Sequence, residues 1–97
     1  MITIQQIQDW SKPHAVSGGK RTNIYNDAVE LSIVGGASGL YGDFKDDFEI
    51  AIIDRNSKEF VTKYFLPDAN DDVVGYLPSD ELESLANKIF HSGFQVR

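Results

Sequence analysis

Residues 79–93, SDELESLANKIFHSG, carry the clearest structural signal in the chain. The apolar residues of this stretch follow helical spacing and form one continuous stripe: Leu82, Leu85, Ala86, Ile89 and Phe90. Ser79 is a good N-cap, and the two acids after it lie in the first turn, where the helix dipole favours negative charge. Gly93 is typical of a C-terminal cap. The stretch therefore predicts an amphipathic helix whose apolar face must pack against another surface.

Strand patterns earlier in the chain supply that surface. Apolar and polar side chains alternate over 29–33, VELSI, as in a half-buried strand. Residues 48–53, FEIAII, are more apolar, which favours a central strand, and 59–65, EFVTKYF, are rich in β-forming residues. Turn residues at 54–57 join these two runs into a predicted antiparallel hairpin. Residues 73–74 are a further short extended piece.

The start of the chain has the pattern of a short helix. Thr3 and Gln6 have the spacing of a capping box. Residues 17–23, SGGKRTN, favour a turn or loop, and whether 15–25 contain a strand stays open. The elements together predict a single-domain α+β fold over residues 1–97. It consists of an antiparallel sheet of about three to four strands, with an N-terminal and a C-terminal helix packed on one face.

The charge of the chain is acidic and unevenly distributed. The net charge is −6, residues 1–42 are neutral, and residues 43–83 carry twelve acids against four bases. Such a field repels phosphate backbones and attracts a basic partner, so we expect a basic protein partner and no direct nucleic-acid binding. The chain has no cysteine, which excludes disulfides and thiolate chemistry. No signal peptide or membrane-spanning run is evident, which predicts a cytoplasmic location and no membrane association.

Two clusters in the acidic half form the candidate binding surface. The first lies at the end of the Gly-rich segment 35–42 and just after it, and mixes an aromatic residue with acids: Tyr41, Asp43, Asp46 and Asp47. The second follows the third predicted strand: Asp68, Asp71 and Asp72. In an antiparallel hairpin one strand starts where the next ends, so we expect the clusters to be neighbours with about six carboxylates on one edge. The alternative is that these acids only keep the protein soluble.

Three kinds of chemical site fit the sequence poorly. The glycines of 35–42 lack the spacing of a dinucleotide loop, and acids follow them where a phosphate would need a helix N-terminus. Asp68, Asn70 and Asp72 have the alternate spacing of a calcium loop, but the glycine and the distal glutamate of that loop are missing. The two histidines and the serines form no catalytic pattern. We therefore expect no catalytic residues, no metal ion and no cofactor.

The sequence thus predicts a small, non-enzymatic interaction or accessory protein that binds a protein partner through its acidic loops. An inhibitor from a phage or mobile element, whose carboxylates imitate a phosphate track, is one alternative. A small enzyme of unknown chemistry is a second. The oligomeric state and the identity of the partner stay open at this point.

Overall fold

One antiparallel sheet of six strands forms the centre of the molecule in a computed structural model that describes residues 1–97. The strands are β1 (Lys12–Pro13), β2 (Lys20–Tyr25), β3 (Val29–Gly35), β4 (Asp47–Asp54), β5 (Val73–Pro78) and β6 (Gln95–Val96). The helices are α1 (Ile4–Asp9), α2 (Thr62–Phe65) and α3 (Ser79–Ile89). The prediction of three to four strands with two flanking helices is therefore wrong. The sheet is larger, and of the three helices only α3 reaches seven residues.

The two edges of the sheet differ. The strand order is β1-β2-β3-β4-β5, and β6 also pairs with β2. One side of β2 is occupied by β3, and the other side is shared by β1 and β6. β1 pairs with Lys20–Arg21, and β6 pairs with Ile24–Tyr25. β5 pairs with β4 alone and has no second neighbouring strand.

The core lies on one face of the sheet. Alternate residues of neighbouring strands meet there, so that Leu31 of β3 is paired with Ile24 on one side and with Ile52 on the other. The helices cover this face with apolar side chains: Ile7 from α1, and Leu82, Leu85 and Ala86 from α3. Each fully buried side chain of Leu or Ile size stabilises the fold by about 1.5–3 kcal/mol. The apolar stripe predicted for the C-terminal helix is therefore part of the core.

Both predicted helices form, but their first turns differ in what holds them. The capping box of α1 is confirmed: Gln6 N–H donates to Thr3 Oγ1 at 3.2 Å, and Thr3 N–H donates to Gln6 Oε1 at 2.9 Å. Ser79 is not the N-cap of α3, because Pro78 takes that position without a side-chain cap. The Ser79 N–H donates instead to the carbonyl oxygen of Asp46 at 3.0 Å.

The prediction of a turn or loop over 17–23 is confirmed for residues 17–19 but wrong from Lys20 on, because Lys20–Tyr25 is strand β2. Thr22 and Ile24 point into the core from it, and every residue of β2 has a partner in β3. The glycines and polar residues of the segment favour a turn locally. The pairing with β3 and the burial of two alternate side chains outweigh that local preference.

The predicted third strand over 59–65 is also wrong. Only Phe60 pairs with β4, in a single bridge to Ile53, and the chain then turns into α2. Thr62 is fully buried; its Oγ1 accepts the N–H of Ile52 at 2.9 Å and donates to the carbonyl of Asp72 at 2.6 Å. The predicted hairpin is limited to the antiparallel Phe60–Ile53 bridge, which is flanked by hydrogen bonds from Asp54 N–H to the Glu59 carbonyl and from Val61 N–H to the Ile52 carbonyl, each 2.8 Å long. The strand that pairs with the rest of β4 on this side is β5. No helix in the structure has the length and apolar character needed to cross a bilayer.

Candidate functional site

Tyr41 lies against β5 and is held there through its backbone. Its N–H donates to Oε1 of Glu49 at 3.0 Å, and its carbonyl accepts the N–H of Tyr76 at 2.8 Å. A side chain at Gly75 would place its Cβ only 2.6 Å from the Cβ of Tyr41, so glycine is needed beneath it. The rings of Tyr41 and Tyr76 are 5.9 Å apart between centroids. They are 56% and 62% exposed, so both are available to a partner.

Tyr76 has an unusual backbone for a tyrosine. Its φ is 55°, in the left-handed region, and it lies where the β4–β5 register shifts between Phe48 and Ile50. A residue other than Gly, Asn or Asp in this region costs about 1–2 kcal/mol. Sequence reasoning missed Tyr76, although a glycine inside a strand, here Gly75, is a known signal of a bulge.

Asp43 and Asp47 are loop-forming residues. One carboxylate oxygen of Asp43 accepts three backbone N–H groups, from Lys45 and Asp46 at 2.8 Å and from Asp47 at 3.1 Å. The Asp47 carboxylate accepts the Asp43 N–H at 2.8 Å in return. These hydrogen bonds, with that from Lys45 the largest cause, lower the pKa of Asp43 to about 2. The loop turns Phe44 inward, where its buried ring contacts Phe48.

The remaining predicted acids make few hydrogen bonds through their side chains. The side chains of Asp46, Asp68 and Asp72 make no hydrogen bond within the chain, whereas one Asp71 carboxylate oxygen accepts the N–H of Asp72 at 2.7 Å. Asp46, Asp68 and Asp71 are exposed and Asp72 is partly exposed. These four side chains can therefore reach a partner without breaking the fold.

The expectation that the two acidic clusters are neighbours is wrong, since it required residues 59–65 to continue as a strand along β4. Asp47 is opposite Pro78 at one end of the β4–β5 ladder, and Ala51 is opposite Val73 at the other. Four residues of strand at about 3.3 Å each separate the two ends by roughly 13 Å. The clusters therefore lie at the two ends of β5, with the tyrosine pair between them.

An apolar groove opens beside β5 on the helical side of the sheet. It has a volume of about 280 Å³. We call it the β5 groove; its lining residues are Phe65, Leu66, Leu77, Leu85, Glu81, Ser84 and Lys88. A larger cavity of about 390 Å³ lies at the opposite edge, between the β2–β3 turn and the C-terminal segment, and has both polar and apolar lining residues.

Two arginines lie against Tyr25 of β2 on the opposite side of the sheet from β5. Arg97 pairs with Glu30 at 2.8 Å, and the guanidinium groups of Arg55 and Arg97 lie 4.6 and 4.3 Å from the centre of the Tyr25 ring. Partial burial raises the pKa of Glu30, but the hydrogen bond and charge of Arg97, the hydrogen bond from Asn23 and the charge of Arg55 together outweigh it, so that the pKa is lowered.

The carboxylates whose pKa is lowered, Glu30, Asp43 and Asp54, line neither of the two cavities. No group of three or more His, Cys, Asp or Glu side chains is placed to hold a metal ion.

No protein-family model matches the chain, and comparisons with curated proteins and with solved structures found no significant similarity. The geometry of the chain itself is therefore the basis for assigning a function.

Proposed function

We propose that this chain is a small, non-enzymatic interaction protein that binds a basic protein partner through its β5 side. The contact is centred on the tyrosine surface, which we define as Tyr41, Asp46, Glu49 and Tyr76. One observation carries the proposal: two exposed tyrosines are held together at a strained bulge, next to the Glu49 carboxylate.

Stability does not require this tyrosine pair. The Tyr76 ring is mostly exposed, and its backbone would be less strained with asparagine or glycine at the position. Strained backbone of this kind is concentrated at binding and catalytic sites, where function outweighs its cost. Tyrosine is also enriched among the residues that carry most of the energy of an interface.

The chemistry of the surface favours a cationic partner group. The face of a tyrosine ring attracts a guanidinium or ammonium group, and a neighbouring carboxylate such as Glu49 strengthens that attraction. Asp46 and the acids at the two ends of β5 add longer-range attraction, which speeds association at low ionic strength. Residues 43–83, which include Asp46, Glu49 and Tyr76 of this surface, carry a net charge of −8.

A cytoplasmic location and a protein, not a nucleic acid, as the partner are part of this proposal. The absence of cysteine supports the first, because such a chain needs no oxidising compartment. The acidic charge supports the second, since phosphate backbones are repelled.

The test compares three forms of the immobilised protein in extract from the native host: wild type, Tyr76→Asn and Tyr64→Asn. Tyr64 is a matched control, since it is an exposed tyrosine on α2, outside the tyrosine surface. We expect wild type and Tyr64→Asn to retain a basic protein, and Tyr76→Asn to retain at least about tenfold less of it. We expect the retained protein to elute as the salt concentration rises.

Retention that is equal for all three forms and indifferent to salt would exclude the tyrosine surface as the binding site. If the retained protein is instead a nucleic-acid-binding protein that short duplex DNA displaces, the alternative of a nucleic-acid mimic replaces the present proposal. Folding of each variant is checked by circular dichroism before the comparison.

A further inference from the structure

The free edge of β5 is the most open hydrogen-bonding surface of the sheet. The opposite edge, on β2, is covered by β1, whose Pro13 has no N–H, and by β6. Proteins usually protect edge strands in this way, because unpaired N–H and C=O groups pair readily with another chain. β5 has no such cover beyond the hydrogen bond from Tyr76 to Tyr41.

The two faces of β5 offer different contacts to an added strand. Leu77 is buried and lines the β5 groove on the helical side, whereas Val73 and Tyr76 are exposed on the outer side. Side chains of a strand alternate between the two faces. A strand laid along β5 would therefore direct alternate side chains toward the groove and toward the tyrosine surface.

Charge determines which strand fits this edge. Acids precede β5 at Asp71 and Asp72 and follow it at Asp80 and Glu81. If a second copy paired through β5, antiparallel or parallel, an acidic end would meet an acidic end, which is destabilising. A basic segment of a different protein would meet opposite charge at both ends.

We propose that the partner binds by adding an extended basic segment to the edge of β5, with an apolar side chain in the β5 groove and Arg or Lys side chains against Tyr76. This inference rests on the proposed function and names its mode of binding. In this mode the main-chain hydrogen bonds provide affinity, and the groove and the tyrosine surface provide specificity.

The probe is a synthetic peptide of alternating character, Lys-Val-Arg-Leu-Arg-Val-Lys, titrated into the ¹⁵N-labelled protein. We expect saturable shifts of the Val73, Val74 and Leu77 amides, slowed hydrogen exchange in β5, and an apparent Kd below about 1 mM. The same peptide with alternate amides N-methylated loses its main-chain donors, and it should bind at least about tenfold more weakly.

A variant pair tests the groove separately. Ser84 is exposed at the rim of the groove, so Ser84→Trp should fill it and weaken peptide binding at least about tenfold. The same change at Ser92, an exposed serine outside the groove at the opposite edge, should leave binding unchanged. Shifts confined to acidic loops, or absent up to about 1 mM peptide, would overturn strand addition.

The two proposals fail in different ways. A host partner that depends on Tyr76 but is indifferent to Ser84→Trp would overturn strand addition and leave the proposed function standing. A partner indifferent to Tyr76 would overturn the proposed function itself.

Discussion

At the scale of single residues, Asp43 shows how a carboxylate in an acidic cluster can serve the fold. Its side chain accepts three backbone N–H groups of its own loop, and Asp47 returns a fourth hydrogen bond. Donors aimed at one anion favour its charged form, so the pKa of Asp43 falls to about 2. Asp43, which the sequence predicts to be part of the candidate binding surface, therefore shapes the loop between β3 and β4.

We expect this role to give a pH-dependent stability. Because the folded pKa of Asp43 lies below its usual value of 3.8, its contribution is present above about pH 4 and is lost as pH falls toward 2. Asp43→Ala should therefore lower Tm at neutral pH. The difference in Tm between this variant and wild type should become smaller between pH 4 and pH 2. Thermal unfolding of both proteins across this range is the measurement.

Asp46→Ala is the matched control for this prediction, because it removes a neighbouring carboxylate that makes no side-chain hydrogen bond. It should show no such narrowing. If the difference in Tm between Asp43→Ala and wild type stays constant down to pH 2, the ionised form of Asp43 does not stabilise the loop.

At the scale of elements, residues 59–65 show how a single side chain can outweigh strand propensity. Thr62 turns inward after the Phe60–Ile53 bridge, and its hydroxyl satisfies the Ile52 N–H that a continuing strand would have paired. The chain then forms α2 and returns as β5. The carbonyl oxygen of Asp72, the residue before β5, accepts a hydrogen bond from the same Thr62 hydroxyl. Thr62 therefore links β4 to the start of β5.

We expect Thr62→Val to test this link, because valine keeps the volume and removes the hydroxyl. It would leave a buried N–H and a partly buried carbonyl without partners, which should cost about 2–4 kcal/mol. Thr62→Ser keeps the hydroxyl and loses one methyl group, which should cost about 1 kcal/mol. Denaturant unfolding gives both values, and a larger loss for serine than for valine would show that packing, not hydrogen bonding, is what Thr62 supplies.

At the scale of the whole molecule, charge is poorly compensated. The chain has 15 acids against 9 Lys and Arg, yet Arg97–Glu30 is the one ion pair within 4.0 Å. The molecule measures 30 × 28 × 24 Å. At about 10 mM salt the screening length is about 30 Å, so nearly all of these charges interact with one another.

Added salt should therefore stabilise the fold. Raising NaCl from about 10 to about 150 mM shortens the screening length to about 8 Å and weakens the repulsion. We expect Tm to rise by roughly 2–4 °C, equivalent to about half a kcal/mol for a domain of this size. The double variant Asp46→Asn/Asp68→Asn should show a smaller rise, and a fall of Tm in wild type would mean that attractive pairs dominate.

The sequence by itself determined those elements whose apolar spacing is unambiguous. The stripe from Leu82 to Phe90 specified α3, the alternation over 29–33 specified most of β3, and the apolar run over 48–53 specified β4. These patterns are local. Apolar residues recur about every 3.6 residues in a helix and about every 2 residues in a strand, because one face of the element is buried. The capping box of α1 is local in the same sense.

Only the tertiary structure decided the rest. Lys20–Tyr25 became a strand because β3 pairs with all of it, and 59–65 became a bridge and a helix because the Thr62 hydroxyl is buried between β4 and β5. The tyrosine pair depends on the same long-range pairing, since Tyr41 meets Tyr76 only where the β4–β5 register shifts. Such contacts join residues far apart in the chain, and their free energy comes from pairing and burial that no local spacing records.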